Sequence, residues 1–310
     1  MSLTTLLGIE YPIIQGAMAQ IATYELAAAV SNGGGLGIIA SGGMSGRELR
    51  EQIKLCREQT KNPFGVNLML MMDNCAELVE IIISEQVPVV TTGAGTPKPY
   101  LDELHRAGIK VIPVVPNVKL AKKMAALGVD GIIAEGTEAG GHVGEITTMA
   151  LLPQVVAAVE LPVIAAGGIA TGGGIVAALA LGAVGVQMGT VFLGTDECPA
   201  HENFKNTILA ADDMATLLTG QSIGAPVRSL KNTMTEAYFQ LEKETAPREE
   251  LEKLALGSLR RAVKDGDVET GTVMAGQICG LVNEIKPAAT VIQDLVKDYQ
   301  RTVANLPKSI

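Results

Sequence analysis

Short aliphatic runs recur along the chain and alternate with longer stretches whose apolar residues return every three or four positions. The runs Pro12–Gln15, Leu36–Ala40, Gly65–Leu70, Val87–Thr92, Lys110–Val115, Gly131–Glu135, Pro162–Ala166 and Val184–Met188 are apolar on both faces, as in parallel strands covered by helices. The amphipathic stretches between them include Gly46–Gln59, Cys75–Gln86, Lys119–Leu127 and Met149–Val159. Strand–helix units in this number predict an α/β fold, a closed (β/α)8 TIM barrel; an open doubly wound sheet usually has fewer strands. After Thr190 the pattern becomes more polar. Residues 1–195 and 276–310 are therefore expected to form the barrel, and 196–275 a small helical insertion beside its mouth after strand eight. Leu251–Lys264 reads as strongly helical, and Ala288–Leu306 as a closing helix in the barrel's eighth helical position. Gly271–Gly280 is apolar and glycine-rich for a late loop; it either lines a site with carbonyls or begins a buried helix.

Composition narrows this picture. The 310 residues suit a barrel with an appendage. Hydrophobic residues make up 47% but aromatics only 3%, with no Trp, so the core has to be aliphatic. A formal charge of -9 argues against nonspecific nucleic-acid binding. Cys56, Cys75, Cys198 and Cys279 fit no CxxC spacing, and no signal peptide is evident, so reduced thiols and a cytoplasmic protein are expected. The longest apolar stretch, near Leu151–Gly168, is broken by Pro153, Gln154, Glu160 and Pro162 and is no membrane span. His105, His142 and His201 lack metal-ligand spacing. Gly35–Ala40 and Gly172–Ala177 match a dinucleotide fingerprint only superficially: the first leads into a strand, and the second lacks the acidic residue that binds a ribose.

Two glycine turns carry the first functional signal. Ala165-Ala166-Gly167-Gly168 ends the seventh strand and Gly189-Thr190 the eighth, where a barrel of this kind places its phosphate clamp. No Lys or Arg lies between Lys123 and Lys205. A phosphorylated ligand held there is gripped by backbone N–H groups and helix N-termini. Other strand ends agree. The sixth leads into Glu135-Gly136-Thr137-Glu138-Ala139-Gly140-Gly141-His142, a histidine displayed on a glycine loop and suited to acid–base work near neutral pH. Gly16, Ala17 and Met18 leave room for a ring system after strand one. Asn67 is a strand amide that needs a hydrogen-bond partner, Thr92 ends strand four, Glu135 is placed to bond sugar-like hydroxyls, and Gln187 points either into the barrel or toward a ligand.

These residues carry a resemblance. Tyr11–Met18, Gly34–Ile39, Pro63–Asn67, Val89–Gly95, Val111–Val115, Glu135–His142, Ile164–Ile169, Val186–Thr190 and Val273–Gln277 resemble the flavin-dependent enoyl-acyl-carrier-protein reductases of type II, within the wider nitronate monooxygenase (2-nitropropane dioxygenase) group. The resemblance covers almost the whole chain, and its Glu-Ala-Gly-Gly-His and Met-Ala-Gly-Gln motifs favour the reductase branch. It implies FMN as cofactor, with the phosphate on Gly167, Gly168, Gly189 and Thr190, the ribityl chain near Glu135, and the ring against Gly16–Met18, Asn67 and Gly140–Gly141. It further implies NAD(P)H as reductant, an enoyl chain on acyl carrier protein as substrate, and His142 polarising the thioester carbonyl or donating a proton. A monovalent cation near Met274 and Ala275 and a homodimer are expected on the same ground. Arg47, Arg50, Lys54 and Arg57, or Arg228 and Lys231, are either a docking patch for the acidic carrier or solvated faces. The competing readings are a nitronate monooxygenase using oxygen, a flavin-free sugar-phosphate barrel, and a noncatalytic flavin-binding protein.

Overall fold

A computed structural model describes residues 1–307. In chain order the strands are β1 (Ile13–Gln15), β2 (Gly37–Ala40), β3 (Phe64–Met69), β4 (Val89–Gly93), β5 (Lys110–Val115), β6 (Ile132–Glu135), β7 (Gly141–His142), β8 (Val163–Ala166), β9 (Gly185–Met188), β10 (Thr216–Thr219) and β11 (Val227–Leu230). Eight of them form one parallel sheet in the order β1-β9-β8-β6-β5-β4-β3-β2. A parallel bridge between Ile14 and Leu36 joins its two ends, so the sheet closes as the expected (β/α)8 barrel. All eight barrel strands fall within a residue or two of the expected runs.

Alternation along the strands divides the apolar side chains into two cores. Ile14, Leu36, Ile38, Val89, Ile112, Ile133 and Ile164 fill the barrel interior. Val66, Leu68, Val90, Val111, Ile132, Val163 and Val186 point outward against the helices. β-branched side chains dominate both layers, which suits a pleated surface buried on both faces. The helix Gly46–Gln59 starts with a capping box between Ser45 and Glu48. The closing helix Ala288–Asn305 packs between the helices Gly172–Ala180 and Tyr24–Asn32, the eighth helical position. Gly172 is required at that contact, because a Cβ there would come within 2.0 Å of the Tyr299 nitrogen.

The segment after the last barrel strand carries the expected helices, Glu202–Leu209, Thr233–Lys243 and Arg248–Ala255, and in addition an antiparallel hairpin. Strands β10 and β11 pair from Thr216↔Leu230 to Thr219↔Val227, and β11 then pairs with β7 through Val227↔His142 and Arg228↔Gly141. Leu251–Lys264 is not one helix. It breaks at Leu256–Gly257, where Gly257 is left-handed (φ 69°), and resumes as a short turn and a π-helical turn over Arg261–Asp265. The Ser258 and Thr272 hydroxyls, 2.6 Å apart, hold the chain in that bend.

The barrel seam between β1 and β2 is closed by few main-chain bonds: Gln15 N–H to Leu36 O and Leu36 N–H to Ile13 O, both 2.9 Å. The fully buried side chain of Gln15 continues them. Its Oε1 accepts from Ile38 N–H at 3.0 Å, and its Nε2 donates to Gly16 O at 2.6 Å and Ile38 O at 3.3 Å. Gln15→Met keeps the volume but leaves the Ile38 N–H unpaired, and is expected to destabilise the protein by about 1–3 kcal/mol. A lower urea midpoint at unchanged slope is the expected result; an unchanged midpoint refutes the role given to this side chain.

Candidate active site

Above the aliphatic floor the interior of the barrel turns polar. Asn67, Thr91, Glu135 and Gln187 continue the inward-facing rows begun by Gly65, Val89, Ile133 and Gly185. Asn67 Nδ2 donates to Thr91 Oγ1 at 3.0 Å, and Gln187 packs against Gly16, whose Cβ would lie 3.3 Å from the glutamine side chain. Thr92 does not belong to this ring. It shares the outward face of Val90 and sits level with Leu68, so its hydroxyl, buried and without a partner, faces the helix layer. The inward threonine is Thr91, and counting by twos from Val89 finds it in the sequence. Glu135 stands deep in the mouth, partly open to it, and desolvation raises its carboxyl to about 7.

The clamp glycines lie on the same rim. Gly167 and Gly168 are both left-handed, with φ 88° and 73°, a conformation few other residues adopt twice in succession. The N–H groups of Gly167, Gly168, Gly189 and Thr190 donate to no acceptor among the described residues. Helix N-termini contribute less than expected. The N-terminus of Thr148–Ala158 is held by the Glu138 carboxylate, which accepts from Thr148 N–H at 2.9 and 3.0 Å, and that of Gly172–Ala180 by Asp298, which accepts from Gly172 N–H at 2.7 Å. An anion arriving here meets loop amides, since these two helix termini already face carboxylates. The Thr190 hydroxyl accepts from Gly276 N–H at 2.9 Å and keeps its own O–H to donate.

His142 is exposed at the mouth and sits in β7, so the loop that displays it is not free-swinging. Val143 N–H donates to Pro226 O at 3.1 Å, and Gln277 N–H to Glu138 O at 2.9 Å. The ring has no hydrogen-bond partner among the described residues, and the surrounding protein desolvates it enough to lower its pKa. At neutral pH the imidazole is uncharged, with one N–H to give and one lone pair to receive. His105 and His201 are elsewhere: the first bonds Asp130 at 3.0 Å, and the second caps the helix Glu202–Leu209.

A strap over Val273–Gln277 crosses the mouth and joins the two sides of the site. Gly276 bonds the Thr190 loop and Gln277 the His142 loop, so this segment is extended and a 3-10 turn begins only at Gln277. Gly140 lies against it; a Cβ there would be 2.7 Å from the Ala275 carbonyl carbon. Met274 lies beside Gly141, with its sulfur 3.5 Å from where a Cβ would be. Glu138, Gly276 and Arg228 belong to this assembly and were not singled out as site residues from the sequence. Their only local signals are a carboxylate two residues before the Gly140–Gly141 pair and a glycine after Ala275. Arg228 is 7% exposed and is not part of a docking patch. On the early helix, Arg50 and Arg57 lie 3.6 and 3.4 Å from Glu85.

A family model described as nitronate monooxygenase matches residues 1–80 and 72–298. The structure of FabK from Thermotoga maritima superposes with a TM-score of 0.95 at 46% identity, covering 98% of this chain and 97% of that one. A probable nitronate monooxygenase of Staphylococcus aureus is 33% identical, over 96% of this chain and 97% of its own. An indene-carboxyl-CoA dehydrogenase of Mycobacterium tuberculosis is 33% identical, over 96% and 95%. The chain is therefore a member of the nitronate monooxygenase family of barrel oxidoreductases.

Proposed function

We propose that the protein is an FMN-dependent reductase of trans-2-enoyl thioesters carried on acyl carrier protein, with NAD(P)H as electron source. The observation that carries the flavin reading is the set of four main-chain N–H groups, at Gly167, Gly168, Gly189 and Thr190, left without acceptors on the rim that displays His142. The substrate class is supported by the greater likeness to FabK, an enoyl-acyl-carrier-protein reductase, at 46% identity, against 33% for the probable nitronate monooxygenase.

FMN, when bound, supplies hydride chemistry that side chains lack. The chain supplies placement. The four N–H groups hold the phosphate, and Asn67, Glu135 and Gln187 offer partners for hydroxyls and ring edge. Gly16, Ala17, Met18, Gly140 and Gly141 let a flat ring approach the backbone. Neutral His142 would give an N–H hydrogen bond to the thioester carbonyl; to deliver a proton to the α-carbon it first has to take one up from solvent. A second reading rests on that same neutral imidazole, which is equally able to take a proton from a nitroalkane; in that case the protein is a nitronate monooxygenase with oxygen as acceptor.

The deciding assay is NAD(P)H oxidation dependent on crotonyl thioester, run beside oxygen uptake with a nitroalkane. Enoyl-dependent oxidation is expected, and uptake of oxygen alone overturns the reductase reading. His142→Ala is expected to remain folded and yellow while losing about 10²–10⁴-fold in turnover; full turnover in that variant removes His142 from the chemistry. Gly168→Val places a β-branched side chain at φ 73° and pushes on Glu138, 3.3 Å from the new Cβ. It is expected to purify folded but colourless, and full flavin content contradicts the clamp. Glu135 is neutral below about pH 7 and charged above it. A charged Glu135 opposes an anionic ligand, so FMN affinity is expected to fall by roughly tenfold as pH rises through that value. Glu135→Gln is expected to flatten the dependence, and a wild-type affinity that does not change with pH refutes it.

A further inference from the structure

The loop from Glu135 to Gly144 holds Gly136, Gly140, Gly141 and Gly144, a composition that favours many conformations over one. Thr137 N–H bonds Ile146 O at 2.9 Å and the Glu138 carboxylate accepts from Thr148 N–H, and further order comes from outside. The insertion hairpin lies against it, and the residue of that hairpin facing Gly141 is Arg228. The Arg228 Nε–H donates to Thr137 O at 3.0 Å, and Nη1 to Thr216 Oγ1 at 3.1 Å. The guanidinium is almost fully buried and makes no ion pair within 4.0 Å among the described residues, the Glu138 carboxylate acting on it only from further away. A buried cation is costly to keep, and a purely structural need for two hydrogen bonds is met more cheaply by a neutral side chain. What an arginine adds is a rigid fork whose donors have fixed directions. Here the fork ties Thr137, near the start of the loop, to β10, while the backbone of β11 pairs with Gly141 and His142, near its end. The loop is thus gripped at both ends by one hairpin that lies more than eighty positions further along the chain.

We infer that Arg228 is a positioning residue for His142. It fixes Thr137 and so sets where the imidazole stands over the mouth, without touching substrate or cofactor itself. The inference rests on the reading of His142 as the acid–base group, and its test includes a readout that does not need that reading.

That readout is hydrogen–deuterium exchange of the purified full-length protein. In Arg228→Lys, which keeps the charge and loses the fork, amides of Glu138–Val143 are expected to exchange roughly ten- to hundredfold faster, the worth of one charge-assisted hydrogen bond, with the barrel strands unchanged. Unchanged loop exchange overturns the inference, whatever the protein's substrate. The second readout is kinetic. Arg228→Lys is expected to lower kcat with little change in KM for NAD(P)H, and to cost nothing further in a His142→Ala background. An equal further loss in that background shows that Arg228 acts independently of His142 and also overturns the inference. Should Arg228→Lys not fold, Thr216→Val, which releases only Nη1, is expected to give the same loop-confined exchange at smaller amplitude, and a loop that exchanges as in the wild type refutes the role.

Discussion

With no lysine or arginine between Lys123 and Lys205, an anion brought to the glycine turns of that stretch would meet peptide dipoles in place of neighbouring cations, and those dipoles act only while nothing else consumes them. This constraint runs through the neighbouring structure. The Glu138 and Asp298 carboxylates take up the nearest helix termini, at Thr148 and Gly172. The Thr190 hydroxyl, which would otherwise compete for its surroundings, is engaged by Gly276. Gly167 and Gly168 turn left-handed so that the chain leaves β8 with its N–H groups facing outward from the strand end. What remains is a small set of donors without acceptors, a state a folded protein keeps where water or a ligand completes it.

The opposite side of the mouth solves a different problem, that of holding a glycine-rich loop still. Local sequence cannot do this, because glycine enlarges the conformational freedom that has to be lost. Local bonds hold its start, Thr137 N–H to Ile146 O and the Glu138 carboxylate on Thr148, and further restraint comes from distant parts of the chain: Arg228 and Pro226 from the hairpin, and Gln277 from the strap. The strap also reaches Thr190, so the anion-facing rim and the histidine loop are joined through one extended segment. Packing distant segments onto a loop makes its geometry a property of the whole fold, and the insertion is better regarded as part of the site than as an appendage.

The sequence was most legible where physical requirements are local. Strands buried on both faces need uninterrupted aliphatic runs, and all eight were visible; the Ser45–Glu48 capping box marks the start of the helix Gly46–Gln59. Glycine at a strand end marked the two turns whose N–H groups are left without acceptors among the described residues, because close backbone approach has few other solutions. The misses have physical causes as well. Thr92 was chosen over Thr91 by one residue, and a period of two turns such a slip into the opposite face. The strands Thr216–Thr219 and Val227–Leu230 are four residues each in a polar stretch, too short to show a period against helical neighbours. Leu251–Lys264 has helical composition throughout, and only Gly257 signals the break, which tertiary bonds at Ser258 and Thr272 then enforce. Arg228 reads as a surface charge in sequence, since burial of a cation depends on partners that sequence spacing does not reveal.

The filled interior limits what kind of molecule the rim can take. Ile14, Leu36, Ile38, Ile112, Ile133 and Ile164 are fully buried beneath the polar ring, so no ligand goes down the axis. A bound molecule has to lie across the mouth, with its underside on Asn67, Thr91, Glu135 and Gln187. It would then meet the amides of Gly167, Gly168, Gly189 and Thr190 on one side and the segments Gly16–Met18 and Gly140–His142 on others. An anionic tail, a hydroxylated middle and a flat, broad head satisfy these three surfaces together. A small sugar phosphate would satisfy the first two and leave the side of the mouth at the exposed His142 uncovered, which is the physical ground for preferring a flavin nucleotide to a sugar phosphate on this rim.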